Sequence, residues 1–102
     1  MSVVVLTKVP VSAATFESVV NEKYQDLMLK IRDDATAQGC LHHMFTEDDD
    51  GQLLIVDEWD DLEHFQNFFH AQTDVRRVMD DSGLNGAPIT TTERILDIAD
   101  RF

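Results

Sequence analysis

Histidine side chains are the groups of this sequence best suited to move a proton. There are four of them, His42, His43, His64 and His70. An imidazole titrates near neutral pH, so it can take a proton from a phenol at physiological pH. His42 and His43 are adjacent on a predicted strand, so their side chains point to opposite faces. The candidate catalytic residues are therefore His70 and whichever of His42 and His43 faces the helices, whereas His64 is expected in solvent.

Aromatic residues cluster where a predicted strand runs into a helix. Trp59 ends the strand, and its indole ring offers both a stacking surface for a planar ligand and an N–H donor. The helix that follows adds Phe65, Phe68 and Phe69 as candidate substrate contacts. Phenylalanines at helical spacing are also typical of an ordinary core. Both interpretations, a cavity wall and a closed core, stay open at this point.

The sequence has no motif for a metal or a phosphate-bearing cofactor. The histidines lack the H-x-x-x-H spacing of a metal site. The run Asp48–Asp50 lacks the spaced ligands and final glutamate of a calcium loop. No glycine-rich phosphate loop is present, so we predict neither bound metal nor flavin. The single cysteine, Cys40, is expected to be a buried thiol.

Composition restricts the class of protein. The 102 residues include 20 acidic and 8 basic ones, which gives a formal charge of −12. This charge disfavours nucleic acids and anionic membranes as partners. With 43% hydrophobic residues, the chain is predicted to form one domain over residues 1–102. We find no membrane-length apolar run and no leader-like pattern, and therefore expect a cytoplasmic protein.

The periodicity of apolar residues predicts the element order β-α-β-β-α-α-β. The first half of the chain is predicted to form a strand over Val3–Val9 that Pro10 stops, and then a long helix that Ser12 caps and that ends near Gln38. A hairpin follows, with strands over 40–46 and 52–59 joined by an Asp-Gly turn at 48–51. The last predicted elements are a helix capped by Asp60, a short helix capped by Thr73, and a strand over 89–99. This order is that of the split βαβ, or ferredoxin-like, α+β fold, with a four-stranded antiparallel sheet and all helices on one face.

The first and third strands carry apolar residues on both of their faces, as in Val3–Leu6 and Leu53–Val56. Strands of this kind are typical of sheets that are covered on both faces. The helices cover only one face, and a second copy of the chain is the simplest cover for the other. We therefore predict a homodimer.

The segment Val56-Asp57-Glu58-Trp59-Asp60-Asp61-Leu62-Glu63-His64-Phe65 resembles the antibiotic biosynthesis monooxygenase family. The resemblance implies a dimeric α/β barrel with a ligand cavity between sheet and helices. It implies one of two activities, the cofactor-free oxidation of polyketide phenols to quinones or the binding and breakdown of haem. In quinone-forming members, the tryptophan that matches Trp59 lies in the cavity.

Two departures from the family pattern bear on function. The positions of the functional residues of haem-degrading members are held here by Thr7, Phe68 and Val78, so haem is only an alternative. An asparagine of the quinone-forming members is replaced by the apolar run Leu53–Val56. Thr7 is kept among the candidate substrate contacts. The resemblance thus implies a cofactor-independent monooxygenase for a small planar aromatic or polyketide-like substrate, and the alternative is a non-catalytic binding or assembly domain.

Overall fold

A computed structural model describes residues 2–95 of the chain. The elements are β1 (Val3–Ser12), α1 (Ala13–Val19), a π-helical turn (Val20–Tyr24), α2 (Gln25–Gln38), β2 (Cys40–Glu47), β3 (Gln52–Trp59), α3 (Leu62–Ala71), α4 (Thr73–Asp81) and β4 (Thr90–Ile95). The helical segments from α1 to α2 are continuous. The predicted extension of strand four over 96–99 lies outside the described residues.

The four strands form one antiparallel sheet in the order β2-β3-β1-β4. Because β3 pairs with both β1 and β2, the first two strands run parallel with the third between them. This is the split βαβ arrangement, and the predicted α+β ferredoxin-like fold is confirmed. Two apolar clusters, one around Val9 and Leu53 and one around Val3 and Trp59, pack against the helices.

Burial alternates along β1 within the single chain. Val3, Val5, Thr7, Val9 and Val11 are buried, and the side chains between them are partly or fully exposed. The alternation means that the helices cover one face of the sheet within a single chain. The other face, named here the open face, carries Leu6 with 38% of its surface exposed.

The prediction that Pro10 ends the first strand is wrong, because β1 continues to Ser12. The pairing of β1 with β3 shifts between Val9 and Ser12. Proline lacks an N–H to donate and is tolerated in a strand at such an irregularity. The Ser12 hydroxyl then accepts a hydrogen bond from the Thr15 N–H at 3.2 Å, which confirms the predicted cap of the long helix.

The long helix contains a feature that its sequence pattern did not reveal, the π-helical turn at Val20–Tyr24. Turns of this kind add a residue to the helical register and re-aim the side chains that follow. Here the Tyr24 hydroxyl donates a hydrogen bond to the Asp81 carboxylate on α4. This hydrogen bond is the main cause that raises the pKa of Tyr24. It ties the long helix to α4.

The hairpin turn between β2 and β3 confirms the Asp-Gly prediction. The Asp48 carboxylate accepts hydrogen bonds from the backbone N–H groups of Asp50 and Gln52, at 2.9 and 3.0 Å. Gly51 adopts a φ of +77°, a conformation that suits glycine. The acidic run is therefore part of a turn. Within residues 2–95, no group of three or more His, Cys, Asp or Glu side chains is arranged to hold a metal.

Two predicted helix caps are corrected. The carboxylate of Asp61, not that of Asp60, accepts the hydrogen bond from the Glu63 N–H at 2.7 Å. Asp60 is held one residue earlier because its own N–H donates to the Gly39 carbonyl at 2.9 Å. Thr73 is the first residue of α4 rather than its cap, and the preceding Gln72 makes no side-chain capping bond. No helix of the described part has the length and apolar character needed to span a membrane.

Gly39 ends the long helix with a φ of +118°, and a Cβ placed there would lie 2.2 Å from an Asp60 carboxylate oxygen. Gly83 has a similar φ of +109° with no atom within 4 Å of such a Cβ. We expect Gly83→Ala to lower the free energy of unfolding by about 1–2 kcal/mol through backbone strain alone. Gly39→Ala should cost more, because Asp60 must also move. Urea titration measures the free energy of unfolding of both variants. Equal losses in the two variants would contradict the expected steric conflict between the new Cβ and Asp60.

Candidate functional site

A cavity of about 290 Å³ lies between the helix-facing side of the sheet and the helices. Its walls are mainly apolar. The residues that line it include Thr7, Met28, Ile31, Cys40, His43, Ile55, Asp57, Trp59, Phe65, Phe68, Phe69, Val75, Arg76 and Met79. A mainly apolar cavity with a few polar groups is typical of a site for a small organic molecule. A more open depression beside α1 is lined by Glu17 and Glu47 but by no histidine.

Trp59 lines the cavity and is also buried, so it combines the two interpretations that the sequence left open. Only 2% of its surface is exposed, and it lies on the helix-facing side of β3. Its ring centroid is 5.7 Å from that of Phe65 and 5.2 Å from that of Phe68. These spacings are those of favourable aromatic pairs. The strand end and α3 therefore hold an aromatic surface against the cavity.

His43 is the histidine that faces the cavity. Its Nδ1 atom lies 2.5 Å from Oδ1 of Asp57, and its side chain is 40% exposed. The second Asp57 oxygen accepts a hydrogen bond from Nε1 of Trp59 at 3.3 Å. His43 and Asp57 are direct cross-strand partners in the pairing of β2 with β3. The three side chains thus form a hydrogen-bonded row along the inner face of the sheet.

A register shift decides which of the two adjacent histidines faces inward. Cys40 pairs with Trp59, but the next pair is His42 with Glu58, so one residue of β2 is unpaired between them. Because side chains alternate between the two faces of a sheet, such a bulge moves each residue that follows it to the opposite face. As a result His42 lies on the open face, where its Nε2 is 3.8 Å from Oε1 of Glu58. The question that the sequence left open is answered in favour of His43.

The other two histidines lie away from this row. His70 is exposed and does not line the cavity; its ring lies 5.9 Å from the ring of Phe69. His64 is exposed, as expected, with its Nδ1 atom 2.8 Å from Oδ1 of Asp60. The hydrogen bond with Asp60 is the largest of the causes that raise the pKa of His64.

The structure brings all five predicted substrate contacts to one cavity. Thr7, Trp59, Phe65, Phe68 and Phe69 all line it. Phe69 is half-buried, and the Arg76 guanidinium carbon lies 5.3 Å from the centre of its ring. Among the predicted catalytic residues, His43 is in the cavity and His42 and His70 are not.

Cys40 lies beside this row as a free thiol, and it is half-buried rather than buried as expected. Burial first, and then the negative charge of Asp57, raise the pKa of the Cys40 thiol to about 11, against a smaller opposing effect of the His42 backbone. A thiol with so high a pKa is a poor nucleophile at neutral pH.

Asp57 is the site residue that the sequence analysis missed. It is 8% exposed and occupies a helix-facing position of β3 between the buried Ile55 and Trp59. An acidic residue on the buried face of an otherwise apolar strand requires a hydrogen-bonding partner. The acidic residue in an apolar strand was visible in the sequence, but the sequence did not identify its partner.

Haem does not fit this cavity well. A volume of about 290 Å³ lies just below the range of roughly 300–1,000 Å³ for small-molecule sites. His70, which is close in sequence to the iron-ligand region of haem-degrading members, lies outside the cavity. We therefore assign no haem-dependent step to this site.

The sheet order and the helices on one face define a ferredoxin-like α+β domain with an apolar cavity between its two layers. The chain is similar to a monooxygenase from the gene ActVA-Orf6 of Streptomyces coelicolor in complex with nanaomycin D, with 17% identity, a TM-score of 0.65, and coverage of 98% of this chain and 90% of that one. SnoaB, a cofactor-independent oxygenase from Streptomyces nogalater, is 18% identical with a TM-score of 0.50, and 98% and 93% of the two chains are covered.

Another solved structure, described as an antibiotic biosynthesis monooxygenase, is 15% identical with a TM-score of 0.56, covering 94% of this chain and 98% of that one. At these identities the shared property is the fold, and at that level the family resemblance is confirmed. No family model matches the sequence, and no curated protein matches it.

Proposed function

We propose that the protein is a cofactor-independent monooxygenase for a small planar aromatic or polyketide-like substrate. The observation that carries the proposal is an apolar, aromatic-walled cavity into which the imidazole of His43 is set. A phenol bound against Trp59, Phe65 and Phe68 would be shielded from water. The small volume favours compounds of two or three fused rings.

The role of His43 is to take a proton from the bound substrate. With Nδ1 directed at Asp57, Nε2 is the ring nitrogen available to accept it. The resulting phenolate or its carbanion form is electron-rich enough to reduce dioxygen directly. Bringing the base and the substrate together in a water-poor site lowers the cost of this step.

The overall reaction balances without an external reductant. A ring CH2 or activated CH loses its proton to His43, and the carbanion forms a C–O bond with dioxygen. Protonation gives a hydroperoxide, and its O–O bond then breaks with release of water to leave a carbonyl. One oxygen atom enters the product and the other enters water, while the carbon supplies all four electrons.

The test of the proposal is oxygen uptake with anthrone, a planar three-ring compound that gives anthraquinone on oxidation. We expect uptake above the rate without protein, unchanged by EDTA, with label from ¹⁸O₂ in the product carbonyl. Binding of anthrone without turnover would overturn the enzymatic proposal and favour the non-catalytic binding domain. Because the structures reported above include an oxygenase described as cofactor-independent, no added cofactor is used.

Substituting Trp59 tests the aromatic wall. We expect Trp59→Phe to weaken anthrone binding by about 1 kcal/mol, about fivefold in Kd, because one aromatic contact and the N–H are reduced or lost. Calorimetric titration measures the change, and circular dichroism checks that the fold is kept. The exposed His64→Gln is the matched control and should bind as the wild type does. Equal affinity of Trp59→Phe and wild type would remove Trp59 from the site.

We further propose that two copies of the chain pair through the open face. Leu6, Val56 and Met44 lie side by side on β1, β3 and β2 by the strand register. Leu6 and Met44 are 38% and 57% exposed. Charged side chains at Lys8 and Glu58 flank this apolar row, a composition that suits an interface with a polar rim. Light scattering should give about twice the chain mass of 11.6 kDa at micromolar concentration.

A further inference from the structure

We propose that Asp57 is a positioning residue that sets the tautomer of His43 and holds the indole of Trp59 at the same time. This inference rests on the proposed function for its catalytic consequence, but its structural part does not. Asp57 does not itself accept the substrate proton. It acts through His43.

The geometry gives each Asp57 oxygen one partner. Oδ1 is 2.5 Å from Nδ1 of His43, and Oδ2 is 3.3 Å from Nε1 of Trp59. The Asp57 side chain is only 10% exposed, so water replaces these partners poorly. A buried carboxylate is costly unless it is hydrogen-bonded. Both partners are therefore needed to satisfy the carboxylate of Asp57 at this buried position.

The chemistry of the groups then determines where the proton of His43 lies. An ionised carboxylate only accepts hydrogen bonds, and the indole N–H only donates. Nδ1 of His43 must therefore carry the hydrogen directed at Asp57. In the neutral ring this leaves Nε2 as the acceptor, which is the form that a general base requires.

Asparagine at position 57 reverses this arrangement while keeping the shape of the side chain. Its amide has one oxygen that accepts and one nitrogen that donates. Because Trp59 can only donate, the amide oxygen must face Trp59 and the amide nitrogen must face Nδ1 of His43. Nδ1 then becomes the acceptor, and the hydrogen moves to Nε2. A His43 in that tautomer cannot take a proton from the substrate.

The structural test is ¹⁵N NMR of the histidine rings in the full chain, at a pH about two units above the ordinary histidine pKa. We expect the Nδ1–H tautomer for His43 in the wild type and the Nε2–H tautomer in Asp57→Asn. The Trp59 indole resonance should remain sharp in both and report an intact fold. The same tautomer in both proteins, or Nε2–H in the wild type, would overturn the proposal.

The control variant is Asp60→Asn, which changes the other close aspartate–histidine pair. Its Oδ1 lies 2.8 Å from Nδ1 of the exposed His64, outside the cavity. We expect Asp60→Asn to leave the His43 tautomer and the oxygen uptake unchanged. A shift of the His43 tautomer in this variant would show that the NMR change is not specific to Asp57.

The kinetic test uses the oxygenase assay. Asp57→Asn should lower kcat about 100-fold with a much smaller change in KM, because binding is kept and proton transfer is lost. Asp57→Glu, which keeps a carboxylate, should restore part of the rate. A rate equal to that of the wild type in Asp57→Asn would refute the catalytic part. If no substrate is turned over by the wild type, the proposed function fails, while the tautomer measurement still decides the role of Asp57.

Discussion

Leu6→Arg is expected to convert the proposed dimer into a monomer. Leu6 lies at the centre of the open face, next to Val56 of β3 and Thr92 of β4. In a symmetric pair each substitution occurs twice. Losing the burial of two leucines costs about 3 kcal/mol or more, and this weakens the dimer by about 100-fold or more. Bringing two like-charged arginines together adds to the loss.

Light scattering at micromolar concentration measures the effect, with circular dichroism to show that the monomer is folded. Leu29→Arg is the matched control, since Leu29 is 50% exposed but lies on α2 in the helical layer. It should leave the mass of the dimer unchanged. A wild-type protein that is a monomer under these conditions, or a Leu6→Arg variant that stays dimeric, would refute pairing through the open face.

His43→Gln is expected to lower oxygen uptake by about 100-fold or more while substrate still binds. Glutamine cannot accept a proton at neutral pH, but its amide can still donate to the Asp57 carboxylate. General base catalysis contributes about 10²–10⁴-fold, and this contribution is what the variant loses. The single tryptophan provides the binding measurement, because a ligand stacked near Trp59 alters its fluorescence.

His70→Gln separates the two histidines that the sequence nominated as bases. His70 is exposed and outside the cavity, so its substitution should leave both uptake and binding unchanged. The opposite result, an active His43→Gln and an inactive His70→Gln, would place the chemistry elsewhere on the molecule. If His43→Gln lowered substrate affinity as much as it lowered oxygen uptake, the role of His43 would be to hold the ligand.

Most of the fold could be predicted from the sequence because it depends on local rules. The Ser12 cap, the Gly39 helix end and the Asp-Gly turn each act within a few residues. The errors arose where a contact between distant segments overrode a local rule. Adjacent aspartates compete for one cap, and backbone bonding to Gly39 decided between Asp60 and Asp61. The strand continued through Pro10 because pairing with β3 shifts register at that point.

The sequence by itself determined that the chain forms a ferredoxin-like sheet with Trp59 on its helix-facing side. It also determined that an adjacent pair of histidines must divide between the two faces. Only the tertiary structure decided that His43 is the inner one and that its partner is Asp57. The physical reason is the bulge between Cys40 and His42. A slip of one residue in the strand pairing moves every side chain beyond it to the opposite face of the sheet. Strand register depends on the pairing between two segments, so neither segment alone determines it.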